Sequence, residues 1–143
     1  WILGDNVEDV MGSGRFLVFY LLCGVTAGLT HALLTPGSQI PTVGASGAIA
    51  GVMGAYMVKF PHARIVTLVP VGFLLTTIEV PALLMLVYWF VLQLLSGLGS
   101  LAQAASRPGV AWFAHAGGFL AGIVYLKLLG SRPRYRRRRD MSW

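Results

Sequence analysis

Apolar residues fall along this chain in four long blocks, separated by short polar or turn-forming interruptions. The first block runs from about Phe16 to Leu34, behind Gly12-Ser13-Gly14 and Arg15. Its first half is bulky, and its second half carries Gly24, Thr26, Gly28 and Thr30. Small residues let helix backbones approach closely, so this half is expected to face the inside of a bundle. Thr35 to Val43 reads as a loop, broken by Pro36, Gly37 and Pro41. The second block spans Ser46 to Phe60. The third opens at Pro81, a favoured first helical position, and runs to about Ser96. Gly97 to Gly109 reads as a small-residue loop, and the fourth block covers Val110 to Leu129. Between the second and third blocks, Arg64 to Thr77 is apolar but interrupted by Pro70 and Gly72 and rich in β-branched residues. That pattern predicts an interfacial loop or a short hairpin.

Composition decides where such helices sit. Of 143 residues, 56% are hydrophobic and 11% charged, whereas globular proteins carry roughly 25% charged residues. So few charges cannot coat a soluble domain of this size, and a polytopic bundle of four transmembrane helices is the expected all-α fold. Soluble enzyme folds, disordered chains and disulfide scaffolds are excluded together. The single Cys23 lies in an apolar run and cannot form an internal disulfide.

Charge gives the bundle a direction. Arg132, Arg134 and Arg136 through Arg139 hold more than half of the 11 basic residues. The chain therefore divides into a membrane domain, residues 1–131, and a basic tail, residues 132–143. Four spans place Arg15, Lys59, Arg64, Lys127 and the tail arginines on one side, with Arg107 alone on the other. The positive side is expected to be cytoplasmic, so the tail reads as a topology anchor in contact with the bilayer surface rather than a nucleic-acid ligand. The loops Thr35–Val43 and Gly97–Gly109 then face outward. The chain starts at Trp1 within what reads as a helix end, which points to a piece of a longer protein.

The second block is short for a span. Ser46 to Phe60 rises about 21 Å at 1.5 Å per residue, against a hydrocarbon core of about 30 Å. Anchored at Lys59, its start must lie below the opposite surface, where non-helical backbone needs protein or a water cavity around it. His115 lies a similar distance from the cytoplasmic end of the fourth block, so Ser46 and His115 fall at one depth. Gly47 and Gly51 on one helix, and Gly118 and Gly122 on the other, form GxxxG pairs that let the two helices touch. An imidazole beside a serine hydroxyl can take its proton, and the positive end of a helix at Ser46 can stabilise an oxyanion. The same residues also fit a helix cap, plain packing, and a bundle histidine or proton path. No HExxH, no metal cluster, no GxSxG elbow and no pair of intramembrane carboxylates occurs, and no cofactor motif is present.

Gly44-Ala45-Ser46-Gly47 resembles the GxSG nucleophile motif of the rhomboid intramembrane serine proteases. Ala114 to Gly122, AHAGGFLAG, is similar to their AHxxGxxxG motif, and Trp1 to Gly12 resembles the segment after their second core helix. Either motif alone is weak, but both occur in order. The resemblance implies helices three to six of a six-helix core, preceded by the tip of helix two. It implies Ser46 as nucleophile, His115 as general base, and Gly44, Ser46 and Gly47 as the backbone beside the nucleophile. It also implies oxyanion-hole His and Asn residues on helix two, upstream of Trp1. The family often places an aromatic residue four positions after the nucleophile, packed on the histidine. Ala50 stands there in this chain, so another group must hold His115. His31 is off these motifs and is expected to be structural, while His62 falls in a cytoplasmic loop.

The implied reaction is hydrolysis of peptide bonds in or near transmembrane segments of other membrane proteins, with helix-destabilised segments preferred. The competing readings are an inactive relative that binds membrane clients, and a small channel. Thr26, Thr30, His31 and Gln93 are too few to line a convincing path.

Overall fold

The computed structural model describes residues 2–36, 44–102 and 111–131. Five helices and one hairpin follow in order: α1 (Gly4–Met11), α2 (Ser13–Leu34), α3 (Ser46–Lys59), β1 (Arg64–Val71), β2 (Leu74–Pro81), α4 (Ala82–Ala102) and α5 (Trp112–Leu129). Three helices, Ser13–Leu34, Ala82–Gly99 and Trp112–Leu129, are long and apolar enough to cross a membrane. With 14 residues, α3 is not, as its expected rise requires. The molecule is a polytopic helical membrane bundle carrying one β-hairpin. The remainder of the Thr35–Val43 loop, residues 103–110 with Arg107, and the tail 132–143 lie outside the described residues.

The buried residues show that α3 is the central element. Gly47, Ala48, Ala50, Gly51, Val52, Gly54, Ala55 and Tyr56 are all buried, so α3 is enclosed around most of its circumference. Its flank against α5 is a seam of glycines. A Cβ on Gly118 would overlap the Gly47 carbonyl oxygen, one on Gly122 the Gly51 carbonyl oxygen, and one on Gly54 the Phe119 carbonyl oxygen. The Gly47–Gly118 and Gly51–Gly122 contacts climb together along both helices, so α3 and α5 run parallel. They also end together, where Lys59 Nζ donates to Ser131 Oγ at 2.8 Å.

Antiparallel to both, α2 packs Cys23 and Ala27 against the same seam, while Gly28, expected on the inner face, is exposed with nothing near it. A Cβ on Gly51 would lie 2.5 Å from Cys23 Sγ, and one on Gly47 would lie 2.5 Å from Ala27 Cβ. Cys23 is thus a buried packing residue. Lipid supplies no hydrophobic drive between apolar helices, so this close approach of backbones is the main source of cohesion. Thr26 Oγ1 and Tyr125 OH add an interhelical hydrogen bond of 2.7 Å. Tyr125→Phe is expected to lower unfolding stability by about 0.6–1.7 kcal/mol. Reversible unfolding in bicelles measures this, and an unchanged midpoint would show that the bond contributes nothing.

Three elements differ from the expected pattern. The segment Gly4–Met11 is helical: Val7, Val10 and Met11 are buried at helical spacing while Asp5 and Asp9 stay exposed. Gly12, at φ 83, breaks α1 from α2, and its N–H donates to Glu8 O at 2.6 Å; positive φ favours glycine there. Second, the expected hairpin forms but extends past Thr77: Arg64–Val71 and Leu74–Pro81 pair antiparallel, from Arg64↔Pro81 to Val71↔Leu74. Pro81 therefore closes a strand rather than opening α4, at a strand end where its missing N–H is tolerated. The Arg64–Glu79 ion pair across the hairpin, 3.3 Å long, is well exposed and contributes at most about 1 kcal/mol.

Third, α4 does not stop at Ser96 but continues through Ala102, so the first part of the expected Gly97–Gly109 loop is helix. The small residue serves packing: a Cβ on Gly97 would press within 3.1 Å of the Phe113 ring. Over residues 82–99 of α4 one stripe is buried, comprising Ala82, Leu86, Gln93 and Gly97, and the other faces are largely apolar and exposed.

Candidate active site

Ser46 is the first residue of α3, and the chain reaches it through Gly44 at φ 145. That backbone conformation favours glycine. The helix is capped at Ala45 without any side-chain hydrogen bond. Its first ladder bond runs from Ile49 N–H to Ala45 O, 3.0 Å. Ser46 is therefore not spent as a cap. Among the described residues no side chain bonds the first-turn N–H groups, at the positive end of the helix. Ser46 itself is exposed while Gly47 and Ala48 behind it are buried.

His115 sits in the first turn of α5, where its N–H donates to Ala111 O at 3.2 Å. The ring is half-buried, and its Nδ1 lies 2.7 Å from Gln93 Oε1 on α4. Trp89, one turn before Gln93, places its ring 5.9 Å from the imidazole at 37°. Trp89 also meets Phe119, which stacks on Phe90 at 4.7 Å, so α4 grips this part of α5 through aromatic contacts.

The glycine seam brings the two candidate residues to one level. A Cβ on Gly47 would be 3.5 Å from Ala114 O, and Ser46 and His115 are the immediate neighbours of those two residues. Among the described residues no hydrogen bond joins Ser46 Oγ to the imidazole. Catalytic hydrogen bonds are commonly long without substrate and tighten in the reacting complex.

Ala50 is fully buried in the packing of α3. The group that holds His115 comes from α4 instead. Neither Gln93 nor Trp89 emerges from motif reading as a partner of His115. The available signal was a lone carboxamide in an apolar helix, one turn after a tryptophan and on the same face. His31 lies near this level too, because a Cβ on Gly117 would overlap the side chain of neighbouring Thr30. Its Nδ1 is buried with no hydrogen-bond partner among the described residues. His62 is exposed in the turn between α3 and β1. Among the described residues, no group of three or more His, Cys, Asp or Glu is placed to hold a metal ion.

Comparison with known proteins bears on this arrangement. A family profile described as the Rhomboid domain matches residues 1–132. Rhomboid protease GluP of Bacillus subtilis is 44% identical over 57 residues, covering 40% of this chain and 11% of that protein. Rhomboid protein 1, mitochondrial, of Saccharomyces cerevisiae is 26% identical over 134 residues, 87% of this chain and 34% of that protein. RHOMBOID-like protein 5 of Arabidopsis thaliana is 29% identical over 133 residues, 93% of this chain and 38% of that protein. The chain thus spans well under half the length of these relatives. No solved structure matches it.

Proposed function

Because this chain belongs to the rhomboid family, we propose that the protein carrying it is an intramembrane serine endopeptidase acting through Ser46 and His115. The observation that supports this most is the parallel α3–α5 seam, with Ser46 and His115 on either side of the Gly47–Ala114 contact. Ser46 Oγ attacks the scissile carbonyl while His115 Nε2 takes its proton. The uncapped first turn of α3, with the backbone at Ser46 and Gly47, faces the developing oxyanion, and Gly44 permits the approach. The imidazolium then returns its proton to the leaving amine. Water repeats the sequence on the acyl-enzyme and frees Ser46.

A carbonyl within an intact helix is hydrogen-bonded and shielded, so substrates need a segment that unwinds readily, such as one with Gly or Pro. Replacing those breakers with Leu is expected to slow cleavage, and equal rates would refute the preference. The basic residues of the tail at 132–143 support a cytoplasmic C-terminus by the positive-inside rule, with Ser46 opening toward the opposite side.

The test is cleavage of a transmembrane substrate by the full-length protein in liposomes, beside Ser46→Ala. The reading requires cleavage by the first and none by the second. A variant that binds substrate while the parent also fails to cut it would identify a client-binding protein instead.

A further inference from the structure

Gln93 is the sole buried polar or charged side chain among the described residues, at 7% exposure. A carboxamide costs several kcal/mol to bury in apolar surroundings unless it is hydrogen-bonded, on the order of 2–7 kcal/mol by transfer. An apolar residue on this stripe of α4 would avoid that cost. The carboxamide oxygen instead meets His115 Nδ1 at 2.7 Å. That oxygen can only accept, so the bond holds the imidazole proton on Nδ1 and leaves the lone pair on Nε2.

We infer that Gln93 is the positioning residue of His115, an inference that rests on the serine-protease reading above. The bond fixes both the tautomer and the ring plane, and the Trp89 ring closes one side of the imidazole. In the proton transfer, Ser46 Oγ–H passes its proton to Nε2 while the Nδ1–H···Oε1 bond persists. The imidazolium is then held by a neutral acceptor until it protonates the leaving amine. The position that Ala50 leaves without a ring is thereby served from a different helix.

A bond that merely glues α4 to α5 would have a different signature. The experiment compares the full-length protein with Gln93→Leu and Gln93→Glu in a fluorogenic transmembrane-substrate assay across pH, with thermal unfolding in parallel. Gln93→Leu is expected to lower kcat about 10- to 100-fold, the cost of removing a partner that orients a metal-ligating histidine, with KM and the folded fraction unchanged. Gln93→Glu keeps the acceptor and is expected to recover kcat above the Leu variant. It should also move the acid limb of kcat/KM to higher pH, because a carboxylate favours the imidazolium and the base must be neutral to act.

Wild-type kcat in Gln93→Leu, or a loss matched by loss of folded protein, would overturn the inference. An acid limb unmoved in a folded Gln93→Glu variant would do the same. Ser46→Ala separates the two levels of the account. If Ser46→Ala is silent and Gln93→Leu runs at full rate, only the positioning role fails. If Ser46→Ala cleaves normally, the protease reading fails and takes the positioning role with it.

Discussion

Replacing Gly122 with leucine is expected to abolish the folded bundle. A side chain there meets backbone, not other side chains: its Cβ would overlap the Gly51 carbonyl oxygen and stand 2.5 Å and 2.6 Å from Gly51 C and Cα. Ordinary overpacking costs about 1–3 kcal/mol because neighbouring side chains change rotamer. Here no rotamer offers relief. The helices must part, and the contacts at Gly118 and Gly54 are lost with the one at Gly122. The same substitution at Gly28, whose Cβ would meet nothing within 4 Å, is expected to leave the fold intact, even though both glycines are helical. Circular-dichroism melting and size-exclusion profiles in detergent check the pair. A Gly122→Leu variant that melts like the parent would show that the α3–α5 seam does not hold the fold.

The second large effect is catalytic. Ser46→Ala and His115→Ala are each expected to reduce kcat about 10⁴-fold or more, and the double variant to lose no more than either alone, because the pair acts as a unit. The variants differ in stability. Ser46 is exposed and makes no cap bond, so its removal leaves the fold unchanged. Removing His115 strands the buried Gln93 carboxamide, which costs about 1–3 kcal/mol. Single-turnover rates on a transmembrane substrate, with chemical or thermal unfolding of each variant, measure both. Losses that multiply in the double variant would mean that the two residues work independently.

The parts of this arrangement that follow from local chemistry are legible in the sequence. The bounds of α3 are set by Gly44 before Ser46 and by Lys59 ahead of Phe60-Pro61, and helix and prediction agree within a residue. The close contact of α3 and α5 is legible in the glycine spacing of two blocks, since small residues at that spacing let membrane helices approach. What escaped reading depended on partners. The helix α1 is amphipathic and only eight residues long, so its charged and apolar positions cancel in any hydropathy window. Its three buried residues need α2 and α3 to give them a reason to fold.

The end of α4 departs from expectation because glycine signals both a loop and a close helix contact, and the contact with Phe113 and Trp112 decides between them at Gly97. Pro81 is similarly ambiguous between a first helical turn and a strand end. Gln93 and His115 lie 22 residues apart on different helices. No spacing rule joins them; the packing of Trp89, Phe90 and Phe119 does.

Reaction of the full-length protein with a fluorophosphonate probe, followed by peptide mapping, tests the central claim most directly. A serine activated at the start of α3 by an imidazole on α5 should be phosphonylated at Ser46 in the parent and left unlabelled in His115→Ala. Substrate cleavage accompanied by probe on some other serine, or by full Ser46 labelling in His115→Ala, would contradict the account.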